Sequence, residues 1–193
     1  MSQNILTVEL VPKTCHYSNV RTTIKPKEWD KLRHLSYESA GFVCEICSQI
    51  GLDQGYNHKL ECHEIWEYND RKKVQKLVGL ISLCPLCHAT KHIGRANAMG
   101  KQHLVFQHME EVNGWNHKEV VEHLAEEFKK YAERSKHQWL LDLTLLSQDP
   151  YNVIVVPTKA RVFKSKPRKY KKKRKKRRKS YFRLRCFGIQ KQY

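Results

Sequence analysis

Residues 84–94 read CPLCHATKHIG, a stretch that holds two kinds of metal-binding side chain. Cys84 and Cys87 form a CxxC pair, and the tight turn of such a pair presents two sulfur atoms to one ion. A second pair lies upstream, at Cys44 and Cys47. Four thiolates suit tetrahedral zinc and leave no open position for a substrate. The two pairs therefore predict a structural Zn²⁺ site that closes the loop between them.

The cysteine content supports metal binding rather than a disulfide framework. The chain has seven cysteines, an odd number, and its first residues, MSQNILTVEL, lack the basic and then apolar layout of an export signal. A redox CxxC would need only one pair, in a βαβ context. Reduced thiols bound to zinc are the favoured interpretation.

Two histidines follow the second CxxC pair at a helical spacing. If a helix begins at that pair, His88 and His92 lie on one face and can share one ion. Upstream, LECHEIWEY (60–68) has a strand-like composition but carries Cys62, His63 and Glu64 in succession. Buried polar groups cost free energy unless they are paired. We therefore expect this strand to face the two histidines across a second metal site.

Residues 42–95, with CEIC, LECHEIW and LVGLISLCPLCHATKHIG, resemble the HNH nucleases of the ββα-metal (His-Me finger) class. In that family a strand, a loop, a second strand and a helix hold one catalytic ion, and many members carry paired zinc-binding CxxC motifs. The resemblance implies a metal-dependent endonuclease that hydrolyses phosphodiester bonds in nucleic acid, with double-stranded DNA as the expected partner. It implies His88 and His92 as ligands of Mg²⁺, Mn²⁺ or Zn²⁺, with His88 among the catalytic residues.

The resemblance can be aligned in two registers. In the first, Cys62 is a ligand of the catalytic ion and His63 is the general base. In the second, His63 is the ligand and Glu64 stands at the position of the base. The second fits the flanking residues better, and the first gives the base more conventional chemistry. We prefer His63 as the base, with Glu64 beside it as base or as support for the ligand.

One departure from the family pattern bears on activity. The family's central asparagine, which braces the loop that carries the base, is replaced at the matching position by Gly79. Asn69 is a candidate substitute for it. This departure keeps a second interpretation open, in which the chain is a catalytically inactive zinc-binding protein that binds nucleic acid or serves assembly on an HNH-like fold.

The net charge of +18 is confined to the end of the chain. Residues 151–193 contain 18 lysines and arginines and no acidic residue, whereas residues 1–150 are formally neutral. A dense cationic run repels itself and binds phosphates with little sequence preference. We expect a largely disordered segment that binds nucleic acid through Arg168, Lys169, Lys171, Lys172, Lys173, Arg174, Lys175, Lys176, Arg177, Arg178 and Lys179.

The predicted fold class is α+β, in four regions. These are a strand and helix in 1–41, the zinc-linked ββα-metal core in 42–97, a helical region packed on it in 98–150, and the basic tail in 151–193. The strand is expected at 5–11 and the helix from Pro26 to Gly41. A helix-like stretch passes through 104–112, and another helix begins at the capping box of Asn116 and Glu119.

The end of the neutral region is less clear from its sequence. WLLDLTLL (139–146) fits a strand or a helix, and VIVV (153–156) indicates a strand. No apolar run reaches the length of a membrane span. We expect an intracellular protein without a membrane partner, in the cytoplasm or nucleoid, or in the nucleus if the host is eukaryotic.

Overall fold

The structure is a computed structural model that describes residues 5–153 and 155. The chain divides into two units, Met1–Thr158 and Lys159–Tyr193, and every described residue belongs to the first. The basic run 168–179 and its predicted disorder lie outside the described residues. Within the described part of the chain, no helix is both long enough and apolar enough to cross a membrane.

A β-hairpin forms the centre of the fold. Strands β1 (Glu61–Asn69) and β2 (Val74–Leu83) are antiparallel, with a bulge in the register after Ile65. The short strand β3 (Leu140–Asp142) pairs in parallel with the start of β2, so the sheet order is β1-β2-β3. The predicted α+β class is confirmed.

Six helices surround this sheet within the described residues. Two precede the hairpin and four follow it; they are α1 (Val20–Thr23), α2 (Pro26–Ser39), α3 (Pro85–Lys91), α4 (Ile93–Ala98), α5 (Gln102–Asn113) and α6 (His117–Arg134). Short 3-10 turns occupy Lys13–Cys15, Gly51–Gln54 and Thr144–Ser147.

The helix starts follow from local sequence. Pro26 occupies the first turn of α2, where its missing N–H and fixed φ cost nothing. Cys84 caps α3 by accepting a hydrogen bond from the Cys87 N–H, so the second CxxC pair is also the beginning of a helix. Asn116 and Glu119 form the predicted capping box of α6. The expected helices are therefore present.

Two apolar clusters hold the elements together. One joins the N-terminal segment and helices α3–α6, with Leu83, Ile93, Val105 and Met109 among its most buried members. The other joins α1, α2, β2 and the residues after β3, and includes Val20, Leu32, Leu77 and Leu146. Both clusters include residues of the hairpin, so the helices pack against it through each of them.

The predicted N-terminal strand is absent. Leu6 and Val8 are buried, as the alternation indicated, but residues 5–12 have no strand partner. Their backbone instead bonds to helix side chains: Asn113 accepts from the Leu6 N–H and donates to its carbonyl, and His123 accepts from the Val8 N–H. The alternating pattern predicted the buried positions correctly, but the hydrogen-bond partners come from helices: side chains of α5 and α6, and the Lys91 carbonyl of α3, which accepts the Glu9 N–H.

The ambiguous segment 139–146 contains both kinds of local structure. β3 ends at Asp142, and a 3-10 turn follows over Thr144–Ser147. Of the expected strand at 153–156, the structure describes Val153 and Val155, and neither lies in a strand. Val153 is buried and donates its N–H to the Leu146 carbonyl, so this segment packs as irregular chain.

Candidate metal centres

The four cysteines of the CxxC pairs meet in one cluster. The sulfur atoms of Cys44, Cys47, Cys84 and Cys87 all lie within 4.8 Å of one another, and Cys47 Sγ is 3.5 Å from Cys84 Sγ. Three of the four side chains are buried. The pair at 44–47 sits in the loop after α2, and the pair at 84–87 opens α3. The cluster is a possible structural metal site.

Electrostatics of the four thiols also favour a cation at this place. Hydrogen bonding with Cys44 and the other thiols lowers the pKa of Cys84 far below its ordinary value, and the same contacts raise the pKa of Cys87. Four sulfur atoms this close cannot all be thiolates without a positive charge among them. The donor set and its spacing therefore fit a thiolate-binding metal ion such as zinc.

Two polar side chains support the sulfur atoms from outside. The Gln54 side-chain amide donates to Cys84 Sγ at 3.2 Å, and His108 Nε2 lies 3.1 Å from Cys87 Sγ. His108 is on α5 and only 3% exposed. In the tautomer with hydrogen on Nε2, its ring donates to the sulfur. Such outer contacts orient metal ligands and spread the negative charge of thiolates.

A second cluster consists of three histidines. His63 on β1 and His88 and His92 at α3 offer ring nitrogens that all lie within 4.8 Å of one another. The ring centroids are 5.4 Å apart for His63 and His88, 4.9 Å for His63 and His92, and 4.7 Å for His88 and His92. The expected placement of His88 and His92 on one helix face is present. Imidazoles converging in this way can bind one divalent ion.

Carboxylates contact two of these histidines from outside the cluster. Glu9 Oε2 lies 3.2 Å from His63 Nε2, and Glu61 forms a close contact with His88 Nδ1. Each contact uses one ring nitrogen and leaves the other for an ion. A carboxylate on the second ring nitrogen is the usual outer partner of a metal-binding histidine, because it fixes the tautomer and ring orientation.

Glu9 is itself held by a buried cation. Lys91, only 5% exposed, donates from Nζ to Glu9 Oε1 at 2.7 Å and to Thr7 Oγ1 at 3.1 Å. Burial alone would raise the pKa of Glu9, but the hydrogen bond with His63 and the charge of Lys91 outweigh it and lower that pKa to about 2. Glu9 is therefore ionised at neutral pH and connects the N-terminal segment to the histidines.

Two members of the histidine cluster, His63 and His92, are neutral near pH 7. Burial lowers the pKa of His63, although Glu9 partly opposes this effect. Burial, and then the neighbouring rings of His63 and His88, lower the pKa of His92 to about 3. Neutral imidazoles are the form that binds metal ions, so protons do not compete for these two rings at physiological pH.

The expected role of Cys62 as a ligand beside His88 and His92 needs correction. Side chains alternate across a strand, so Cys62 faces α2 while His63 faces α3. The Cys62 thiol hydrogen-bonds to Ser36, burial raises its pKa to about 12, and the histidine cluster does not include it. The strand member of that cluster is His63.

Glu64 points away from the histidines for the same reason. Its Oε1 accepts the N–H of Val20 at 2.9 Å, at the start of α1, on the opposite side of β1. Burial raises the pKa of this carboxyl despite those backbone contacts. Glu64 thus anchors α1 to the sheet, and neither of its expected roles, as base or as support for a ligand, fits this position.

The two positions considered for the bracing asparagine have different surroundings. Gly79 pairs with Ile65 on the His63 side of the hairpin, where a Cβ would meet Ile65 Cδ1 at 3.4 Å. Asn69 lies at the far end of β1 and accepts the Lys72 N–H in the hairpin turn. Asn69 therefore cannot stand in for an asparagine beside His63.

Five contributors to the two clusters were not anticipated: Glu9, Gln54, Glu61, Lys91 and His108. A histidine at 108 between the apolar residues Val105 and Met109 is a signal that the sequence does carry, because a buried imidazole needs a partner. The contact of Glu9 with Lys91 joins positions 82 residues apart, and no pattern in the neighbouring sequence of either residue predicts it.

Comparison with family models, with curated proteins and with solved structures gave no match for this chain.

Proposed function

We propose that this chain is a metal-dependent endonuclease of the HNH type that hydrolyses phosphodiester bonds in nucleic acid, DNA foremost. The observation that carries the proposal is the group of three converging histidines, one from β1 and two at α3, joined to a four-cysteine cluster through the neighbouring residues Cys87 and His88. Zinc at Cys44, Cys47, Cys84 and Cys87 would be structural, because four sulfur ligands fill its coordination.

The histidine cluster would hold the catalytic ion, Mg²⁺, Mn²⁺ or Zn²⁺. A divalent ion held by these rings would supply charge neutralisation at the scissile phosphate and a water of lowered pKa. His63 fits this site better as a third ligand than as the general base that the sequence favoured, because its ring lies against both other rings. Glu9 and Glu61 then orient His63 and His88.

The basic run 168–179 would bring substrate to this site. Its side chains neutralise phosphates and release counterions, which gives salt-sensitive affinity without base recognition. A tethered cationic segment raises the local concentration of nucleic acid near the neutral remainder of the chain. Chemistry and affinity would thus be supplied by separate parts of the sequence.

A second candidate is a catalytically inactive zinc-binding protein that binds or helps to assemble nucleic acid. It is favoured by the orientation of Glu64 away from the histidines and by Gly79 at the position of the family's asparagine. In that case the three histidines would hold a structural ion or none.

Plasmid cleavage in Mg²⁺, Mn²⁺ or EDTA separates the two candidates. We expect metal-dependent cutting that His88→Ala and His63→Ala each abolish, while His34→Ala on the exposed side of α2 cuts like the unaltered protein. Metal analysis of the same samples should show one tightly bound zinc per chain in all of them. Absence of cutting in every metal, with salt-sensitive DNA binding intact, would favour the inactive candidate.

A further inference from the structure

An open cavity of about 130 Å³ adjoins the histidine cluster. Its walls come from the start of β1, from α3 and α4, and from the beginning of α5. His88 and His92 form one side, so the cavity opens directly onto the proposed catalytic ion site. Whatever occupies it would lie beside the reacting phosphate.

Much of the remaining lining of the cavity is apolar. Leu86, Ala89 and Leu104 line it, and Met99 adds a side chain that is 57% exposed. Leu104 is 37% exposed. Apolar side chains gathered at the mouth of a polar site are typical of ligand pockets, in which a few polar groups orient an apolar body. At about 130 Å³ the space is slightly smaller than the enclosed cavity of about 150 Å³ that holds benzene, but it is open to solvent, so one planar ring can enter with an edge outside.

The rim of the cavity carries positive charge. Arg95 and Lys101 are exposed, line the cavity, and form no ion pair with any part of the chain that the structure describes. The one lining carboxylate, Glu61, already contacts His88 and His58. Two unengaged cations next to an apolar wall match a ligand that joins an anionic group to a flat ring.

We propose that this cavity binds an unpaired nucleobase whose own phosphate lies at the histidines, so that the site acts on unpaired nucleotides in nucleic acid. The ring occupies the space against Ala89 and Leu104, and Arg95 and Lys101 contact the adjoining phosphates. A base that is paired and stacked in a duplex cannot enter, because entry requires unstacking. This inference rests on the proposed nuclease function and specifies its substrate.

Two variants and one matched control test the cavity. Ala89→Phe fills it, and Leu104→Gln removes apolar surface from its edge without adding bulk. Val121→Phe places the same ring on an exposed valine of α6 that does not line the cavity. Equal zinc content and circular dichroism in all three exclude misfolding, and Leu104→Gln decides the matter if Ala89→Phe fails to fold.

The first readout is cleavage of a fully paired DNA duplex and of the same duplex with a central three-thymidine bulge. We expect the unaltered protein and Val121→Phe to cut the bulged strand at least about tenfold faster, the scale of one stacked base. Ala89→Phe and Leu104→Gln should reduce that preference to about twofold or less. Equal cutting of both duplexes by the unaltered protein, or an unchanged preference in the cavity variants, overturns the inference and leaves the nuclease proposal standing.

The second readout does not depend on cleavage. Saturation-transfer NMR with thymidine 5′-monophosphate should show transfer to the base protons in Val121→Phe and at least about a threefold loss in Ala89→Phe and Leu104→Gln. All variants carry the same basic run, so its contribution cancels. If no sample cuts DNA but this loss is seen, the nuclease proposal fails and the base-binding cavity stands. Equal transfer in all variants overturns the cavity.

Discussion

Replacing Glu9 by glutamine tests whether the N-terminal segment is anchored at the histidine site. The substitution keeps the shape of the side chain and removes its charge. Lowering the pKa of Glu9 from its ordinary 4.5 to about 2 corresponds to about 3 kcal/mol, at about 1.4 kcal/mol for each tenfold change in proton affinity. Because this side chain is 32% exposed, we reduce that figure by roughly half for solvent screening.

The buried partner adds to this cost. The glutamine amide oxygen can still accept from Lys91, but the buried ammonium group loses its opposite charge, which costs about 1–3 kcal/mol. Because the charge of Lys91 contributes to both figures, their sum is an upper limit, and we expect Glu9→Gln to lower the free energy of unfolding by about 2–4 kcal/mol at pH 7. For a folded region of this size the melting temperature should fall by at least about 4 °C.

The assay is urea unfolding of metal-loaded protein, with Glu67→Gln, an exposed glutamate on β1, as the control. The folded-state pKa is depressed, so the stabilisation is fully present above about pH 4.5 and is lost as the pH falls towards 2. The difference from the unaltered protein should therefore be the same at pH 5.5 and pH 7. In a double-mutant cycle, Glu9→Gln and Lys91→Met should couple by at least about 1 kcal/mol. A cost for Glu9→Gln within about 0.5 kcal/mol of that for Glu67→Gln would refute the reasoning.

Three further variants give predictions for other parts of the chain. In a chelator competition, His108→Phe should weaken zinc binding about 10–100-fold, because the ring of His108 contacts Cys87 Sγ. The control is His103→Phe, at an exposed histidine of the same helix, which should leave zinc affinity unchanged. Equal zinc affinities in the two variants would contradict the role of His108. Glu64→Gln should cut DNA within about twofold of the unaltered protein, and a large loss would restore Glu64 as a catalytic candidate. Burial raises the pKa of Glu64, so ionisation of this carboxyl disfavours the folded state. In urea unfolding, the glutamine variant should therefore gain stability relative to the unaltered protein as the pH rises from about 4.5 to 7. A stability difference that does not change with pH would argue against this. Removal of residues 159–193 should abolish most of the salt dependence of DNA binding in a titration with NaCl, and an unchanged slope would place the phosphate contacts elsewhere.

Much of the local structure could be predicted from the sequence because its signals are short-range. Pro26 begins α2, the Asn116 capping box begins α6, and the second CxxC pair begins α3. The spacing of Cys84 and Cys87 and of His88 and His92 also predicted which side chains would converge. These features depend on neighbours within about four residues, where the geometry of a helix or turn is nearly fixed.

Other features depended on contacts that sequence spacing does not encode. The segment 5–12 alternates like a strand, but the fold brings Asn113 and His123 to its backbone instead of another strand. Alignment alone left Cys62, His63 and Glu64 as competing candidates. The orientation of β1 between α2 and α3 decided which of the three belongs to the histidine site. Adjacent residues of a strand point to opposite faces, so His63 faces α3 while Cys62 and Glu64 face the other side.

The sequence by itself thus determined the α+β class, the four-cysteine cluster and the pair of histidines on α3, since each follows from local periodicity and ligand spacing. The tertiary structure decided that His63 joins that pair, that Glu64 anchors α1, and that Glu9, Lys91 and His108 support the two clusters. The reason is physical: a buried polar group takes its partner from whichever segment packs against it, and packing brings together positions that lie far apart in the chain.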